Sequence, residues 1–146
     1  MLRDYKPADL QTLHEIDSAC FAPGISYSLG ELRAFISHPR AKTWVAVEGG
    51  EAVGFAVAQR VSAQETHVIT IDVVAEMRRR GTGSELMEAV ERWALQLKCR
   101  VISLETAEDN AGAQAFYARR GYQKFRLIKG YYGNGTAAWG MLKALR

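Results

Sequence analysis

Apolar and polar positions alternate along this chain with two periods, and the places where the period changes outline the elements. Leu2 to Tyr5 is short and extended. From Pro7-Ala8-Asp9 onward, Leu10, Leu13 and Ile16 recur at helical spacing up to Cys20. Phe21 to Tyr27 breaks that pattern. Ser28-Leu29-Gly30-Glu31 has the Ser-x-x-Glu form of a capping box and starts a second helix, which His38-Pro39 closes. The runs Thr43–Val47 and Ala52–Val57 flank Gly49-Gly50 and predict a tight hairpin, because glycine supplies the positive φ such turns need. A strand from His67 to Val74 should pair onto it.

The clearest helix runs from Ser84 to Lys98. Leu86, Val90, Trp93, Ala94 and Leu97 form one apolar stripe, and Glu85, Glu88, Glu91, Arg92 and Gln96 are expected on the solvent side. Arg100 to Thr106 reads as a strand and Asn110 as the cap of a helix ending at Gly121. Tyr122–Ile128 and Thr136–Leu145 read as strands joined around Gly133-Asn134-Gly135. The order β-α-α-β-β-β-α-β-α-β-β predicts an α+β fold with one mixed sheet and helices on its faces.

Composition narrows the function classes. At 146 residues the chain is expected to be one domain, residues 1–146, large enough for a core without metal or disulfides. Its 19 basic and 16 acidic residues leave a net charge of +3, which Arg78-Arg79-Arg80 alone equals. That points to a local anion site and away from a broad nucleic-acid face. No apolar leader segment opens the chain, and no run approaches the ~20 residues of a membrane span, so a cytoplasmic location is expected. Cys20 and Cys99 form no Cys-x-x-Cys pair, which fits a reducing compartment. The three histidines have no metal-ligand spacing, and no metal is expected.

The candidate chemistry concentrates where a strand, Ile71-Asp72-Val73, runs into Arg78-Arg79-Arg80-Gly81-Thr82-Gly83-Ser84 at a helix start. Glycines there allow close approach to the backbone, and the free N–H groups of a first helical turn attract phosphate. Leu86 stands where a dinucleotide-binding fingerprint needs its third glycine, and no Gly-Lys-Ser/Thr of a P-loop is present. Taken alone, the segment reads equally well as a solvated basic loop.

Arg78-x-x-Gly81-x-Gly83 resembles motif A of the GCN5-related N-acetyltransferase (GNAT) superfamily. Leu104-Glu105 through Asn110, Ala113 and Phe116-Tyr117 to Gly121-Tyr122 resembles a second signature, that of its ribosomal-protein-alanine N-alpha-acetyltransferase (RimI-type) branch. The resemblance implies a mostly antiparallel sheet of about seven strands with splayed central strands and four flanking helices. It implies acetyl-CoA as co-substrate: Arg78, Arg79, Arg80, Gly81, Thr82, Gly83 and Ser84 around its pyrophosphate, and the backbone of Ile71, Asp72 and Val73 along its pantetheine arm. Asn110 and Tyr117 would also meet the cofactor. It implies Glu105 as general base and Tyr117 as general acid. Phe21, Pro23, Tyr27, Tyr131 and Tyr132 would wall the acceptor slot.

The chemistry asks for both roles, since the attacking amine must be neutral and the leaving thiolate must be protonated. Two departures fall on the acceptor side. Thr106-Ala107 replaces the branch's Val-Arg, and Phe21–Ser28 is longer than its Pro-Trp-Ser loop. The expected reaction is acetylation of a protein N-terminal α-amino group, with a ribosomal protein among the candidate acceptors. The expected assembly is a monomer or weak dimer, with neither nucleic acid nor membrane as partner. A small amine as acceptor, or a non-catalytic acetyl-CoA-binding module, are the alternatives.

Overall fold

A computed structural model describes residues 1–145. Seven strands form one sheet: β1 Leu2–Asp4, β2 Ala41–Glu48, β3 Glu51–Arg60, β4 Glu65–Val73, β5 Val101–Ala107, β6 Gln123–Ile128 and β7 Ala138–Ala144. Four helices accompany it: α1 Leu10–Cys20, α2 Leu29–Ser37, α3 Thr82–Gln96 and α4 Ala111–Arg119. The spatial order is β1-β2-β3-β4-β5-β7-β6, and only the β4–β5 pair is parallel. This is the expected α+β arrangement. Among the described residues no helix is long and apolar enough to cross a membrane.

The local signals read from the chain explain most element ends. The Ser28 side chain accepts the Glu31 N–H, and Glu31 reaches back to the Ser28 N–H, closing the capping box. Asn110 caps α4 by accepting the Ala113 N–H at 3.0 Å. Helix α3 begins two residues earlier than expected, at Thr82. Its N-cap Gly81 sits at φ 86°, a left-handed conformation that ends the basic loop and releases the helix.

Alternation along β2 and β3 sorts the core into two clusters, one on each face of the sheet. Trp44, Ala46, Ala56 and Ala58 join Leu86, Met87, Val90 and Ala94 of α3. Small alanines on the strands let the bulky helix residues approach closely. On the opposite face, Val45, Phe55 and Val57 join Leu13, Ile16 and Leu32 of α1 and α2.

One expectation on α3 is corrected. Glu91, assigned to the solvent side, is buried and holds Arg120 at 2.9 Å, the Tyr122 hydroxyl at 2.9 Å and Lys143 at 3.2 Å. A buried carboxylate is tolerable because three donors surround it, from the end of α4, the start of β6 and β7. Those partners lie 29 to 52 residues away, beyond the reach of a helical wheel.

Two irregularities in β4 position the site. Its pairing with β5 covers only Glu65–His67 against Val101–Ser103, after which the strands part. Its pairing with β3 slips by one residue: Val57 faces Thr70 and Ala58 faces Val68, leaving Ile69 as a bulge. Val68 therefore points into the α3 cluster before the bulge, and Ile71 and Val73 do so after it.

Candidate active site

The loop between β4 and α3 lies at the mouth of the gap between β4 and β5. Arg79 takes φ 66° and Gly81 φ 86°, turning successive backbone N–H groups into a concave nest at the start of α3. A Cβ built on Gly81 meets nothing within 4 Å, so space is open to a ligand there. Gly83 lies against Phe116 of α4, where an added Cβ would stand 3.5 Å from the ring. This brings the first turns of α3 and α4 together. The exposed Arg79 and Arg80 flank the nest, and Thr82 and Ser84 lie within it. These groups fit a pyrophosphate: a helix N-terminus, an approachable backbone and two exposed guanidiniums. A cavity of about 410 Å³, lined by Met1, Val47, Glu48, Arg80 and Glu85 among others, borders the hairpin flank of this loop. No residue of the β4–β5 gap lines it.

Arg78 is placed differently from its neighbours. Its Nε donates to the Val73 carbonyl at 3.0 Å, and its guanidinium reaches the Cys20 sulfur at 3.5 Å. It pins the end of β4 to α1. The Cys20 thiol also donates to the Val73 carbonyl, and its burial, together with the nearby Asp72, pushes its pKa up. A thiol held protonated in this way is no nucleophile.

Beyond His67 the edge of β4 that faced β5 has no strand partner, so backbone groups of Ile71, Asp72 and Val73 are accessible from the gap. The Asp72 side chain is buried among polar groups. Thr70 donates to one of its oxygens at 2.5 Å. Its other oxygen and one oxygen of Asp17 on α1 have no other donor. Burial, then Asp17, holds the Asp72 carboxyl well above the usual carboxylate range, and a proton between the two acids satisfies both. Asp17 in turn accepts the Tyr27 N–H at 2.8 Å, anchoring the α1–α2 loop.

Tyr117 lies on the α3 side of the sheet, buried and tilted against Phe116 and Tyr122. Burial, assisted by Asp72, raises its hydroxyl above the ordinary phenol value, so it stays protonated. Glu105 lies on the opposite face: Ile102 and Leu104 point into the α3 cluster, and alternation turns Glu105 the other way. Its carboxylate Oε1 meets His67 Nε2 at 2.9 Å and accepts the Tyr131 hydroxyl at 3.0 Å. Burial works to raise its pKa, but His67 and Tyr131 outweigh burial and leave it below its ordinary value.

Two loops wall this face. The Gly133 N–H donates to the Gly24 carbonyl at 2.9 Å, stitching the α1–α2 loop to the β6–β7 loop. Tyr27 donates to the carbonyl of the bulge residue Ile69 at 3.3 Å. Tyr131 and Tyr132 stand edge to face, 4.9 Å between centroids. Burial, then Glu105, pushes the Tyr132 hydroxyl up to about 12. Phe21 and the exposed Pro23 belong to the same α1–α2 loop. The five residues expected to wall an acceptor slot thus occupy two loops that touch. His67 was not among the site residues expected from sequence. The available signal was the period-two pattern Glu65-x-His67 beside Ser103-x-Glu105, polar pairs on strands otherwise apolar toward the core.

Comparison with known proteins agrees with this architecture. The model of the acetyltransferase (GNAT) family matches residues 10–122. An uncharacterized N-acetyltransferase of Methanocaldococcus jannaschii is 29% identical over 144 residues, covering 98% of this chain and 90% of its own. An N-alpha-acetyltransferase of Saccharolobus solfataricus is 34% identical over 80 residues, 54% of this chain and 48% of its own. The ribosomal-protein-S18-alanine N-acetyltransferase of Escherichia coli superposes with a TM-score of 0.87 at 22% identity, over 99% of this chain and 92% of that one.

Proposed function

The chain belongs to the GNAT acetyltransferase family, and from that premise we propose that it is an acetyl-CoA-dependent enzyme whose acceptor is the α-amino group of a protein N-terminus. A ribosomal protein is a candidate acceptor, in line with the name of the bacterial structure it resembles. The 146 residues serve as one catalytic domain.

The observation that carries the reading is the pairing of Glu105 with His67 under Tyr131, at the foot of a slot walled by two stitched loops. An α-amino group has a reference pKa near 7.8, so roughly one molecule in seven is already neutral at pH 7. A lysine amine near 10.4 is neutral in only about one in 2,500. A modest base therefore suffices for a chain terminus and is poorly matched to a lysine.

Acetyl-CoA supplies the acetyl group as a thioester. Arg79, Arg80 and the N–H groups of residues 81–84 hold its pyrophosphate, Asn110 flanks the arm, and the free edge of β4 at Ile71–Val73 aligns it. Arg78 contributes by fixing that edge. Glu105 with His67 takes the proton of the acceptor ammonium. Tyr117, from the other face, offers its hydroxyl to the sulfur. A phenol near 10 gives a proton to a thiolate near 8.5 at a cost of about 2 kcal/mol, and burial adds to that cost. Tyr117 thus acts by hydrogen-bonding the sulfur as charge builds, ahead of full transfer.

The test compares acetyl transfer to a short peptide with a free N-terminus and to the same peptide N-terminally blocked but carrying a free lysine. Polyamines form a third arm. Faster transfer to the free N-terminus is the expected result. Preference for the blocked peptide or for a polyamine overturns the acceptor assignment.

A further inference from the structure

After Asp109 the sequence holds no acidic residue and seven basic ones. Several of these cations are already engaged. Arg120 and Lys143 hold Glu91, and Lys124 lies over the Trp139 ring, 4.8 Å from its centroid. Arg126 is exposed on β6, and no ion pair among the described residues includes it. Glu105 of β5 faces Gly140 of β7, and Gly140 faces Arg126 of β6, so the three form one row across the sheet. Trp139 and Met141 pack toward α3, which turns Gly140, and Glu105 with it, to the opposite face.

A bulge in β6 brings two side chains into that row. The ladder passes from Lys124 to Arg126, so Phe125 and Arg126 together oppose Gly140. A Cβ built on Gly140 would stand 2.9 Å from the Phe125 ring and 3.5 Å from Arg126 Cγ, so both side chains lie over the glycine on the Glu105 face. The ring fills the place of the side chain that Gly140 lacks, and the guanidinium stands 5.5 Å from its centroid. Phe125 is nonetheless 49% exposed. The α1–α2 cluster draws on β2, β3 and β4 and includes no residue of β6. After burial, His67 and Tyr131, Arg126 is a further influence on the Glu105 carboxyl and helps to hold it ionised.

We propose that Arg126, with Phe125 as an apolar floor, is a specificity residue for the acceptor and favours N-termini that carry Asp or Glu as their second or third residue. This rests on the reading of Glu105 as the base beside the acceptor amine, and deepens it by naming the acceptor class. Glu105 and Arg126 are two strand spacings apart, about 10 Å at the backbone. An extended acceptor with its amine at Glu105, leaving across Gly140, advances about 3.4 Å per residue. Its second and third residues then lie over Phe125, within reach of the guanidinium. A carboxylate there meets a planar cation that can hold both its oxygens and has no internal acid to give up. A lysine there meets like charge. An acid at the sixth residue is about 17 Å from the amine and gains only the screened attraction of the basic segment.

The experiment measures affinity by calorimetry on the full chain saturated with CoA, which has no acetyl group to give, so binding is read without transfer. The probes are seven-residue peptides with a free N-terminus and Asp, Asn or Lys at the second, third or sixth position. Asp at the second or third position should bind about fivefold more tightly than Asn, and Lys more weakly than Asn. At the sixth position Asp and Asn should agree within about twofold. Arg126→Gln should abolish the gain from Asp, and Arg126→Glu should reverse it in favour of Lys; the site is exposed, so both variants spare the core. Equal affinity for Asp and Asn, an equal gain from Asp at the sixth position, a gain that survives Arg126→Gln, or no binding by any peptide overturns the proposal. Repeating the series with acetyl-CoA separates the two readings. Transfer to N-termini with no preference for acid sinks this inference and leaves the acceptor class standing. Acid-dependent binding without transfer to any N-terminus sinks the acceptor assignment and leaves the Arg126 subsite standing.

Discussion

The two faces of the parting strands are built in different ways. On the α3 face, the candidate phosphate site is one continuous stretch, Arg79 to Ser84, shaped by backbone torsions and a helix start. On the α1–α2 face, the candidate acceptor site takes Tyr27, His67, Glu105 and Tyr131 from four separate segments joined by side-chain hydrogen bonds. The first depends on glycine conformations and tolerates side-chain change around it. The second depends on particular atoms at particular distances. Damage to the first should show in binding, and damage to the second in turnover.

The largest expected effect tests that division directly. Glu105→Gln should lower kcat by roughly 10³, within the 10²–10⁴ usual for general acid–base groups, with acetyl-CoA affinity changed by less than a factor of about three. Calorimetric binding that weakens in step with turnover would erase the division. Tyr117→Phe should cost roughly 10² in kcat, since a hydrogen bond to sulfur is lost while the ring keeps its packing. It is the one residue of the α3 face expected to act on turnover, and normal turnover in this variant would remove it from the chemistry.

The α3 face is probed by Gly83→Asp. Saturating acetyl-CoA, at a hundred times its dissociation constant, should stabilise the wild type by about 2.7 kcal/mol. The variant forces a carboxylate against Phe116, parting the first turns of α3 and α4 and adding negative charge to the first turn of α3, and its thermal shift should vanish. An undiminished shift puts the phosphate site elsewhere.

The smallest effect concerns Asp72, which faces α1 beside Asp17. Burial and Asp17 raise its carboxyl in the folded state, so the folded chain holds a proton that the unfolded chain releases. That contribution is complete below the unfolded value near 3.9 and is lost as pH rises toward the raised folded value. Asp72→Asn keeps a hydrogen-bond donor without a proton to lose. Its melting temperature should match the wild type near pH 4 and exceed it by about 2–4 °C at pH 8, the shift that 1 kcal/mol gives in a domain of this size. Equal melting at both values means the two acids do not share a proton.

The same contrast governs what the chain reveals before folding. Arg78-x-x-Gly81-x-Gly83, the Ser28 capping box and the Asn110 cap are contiguous and backbone-driven, so their residue types point directly to torsions and helix ends. Helix and strand periods likewise disclose the order of elements and the mixed sheet. His67 stayed hidden because a lone histidine in a strand becomes informative only once the β4–β5 register sets it opposite Ser103 and beside Glu105. Glu91 misled for the same reason: its helical position is polar by pattern, and only the return of the chain through Arg120, Tyr122 and Lys143 buries it. Arg78 belongs to the motif by spacing yet turns back on Val73, a rotamer choice that spacing does not encode.

The bulge at Ile69 acts as a phase offset in the strand. Before it, odd-numbered residues such as His67 face the α1–α2 side and even-numbered ones such as Val68 face α3; after it the parity reverses, and Ile71 and Val73 face α3. Were the same residues drawn out straight from His67, Thr70 and Asp72 would turn toward Leu86 and Val90, with Ile71 and Val73 against Asp17. No side chain need change for the outcome to be a buried carboxyl in an apolar core. Deleting Ile69 has the opposite character: it would leave both flanks on their present faces and take away the carbonyl that accepts the Tyr27 hydroxyl. The offset therefore spends one residue of strand to aim a backbone acceptor at Tyr27, and every residue from Thr70 onward keeps its face only because that one is not counted in the ladder.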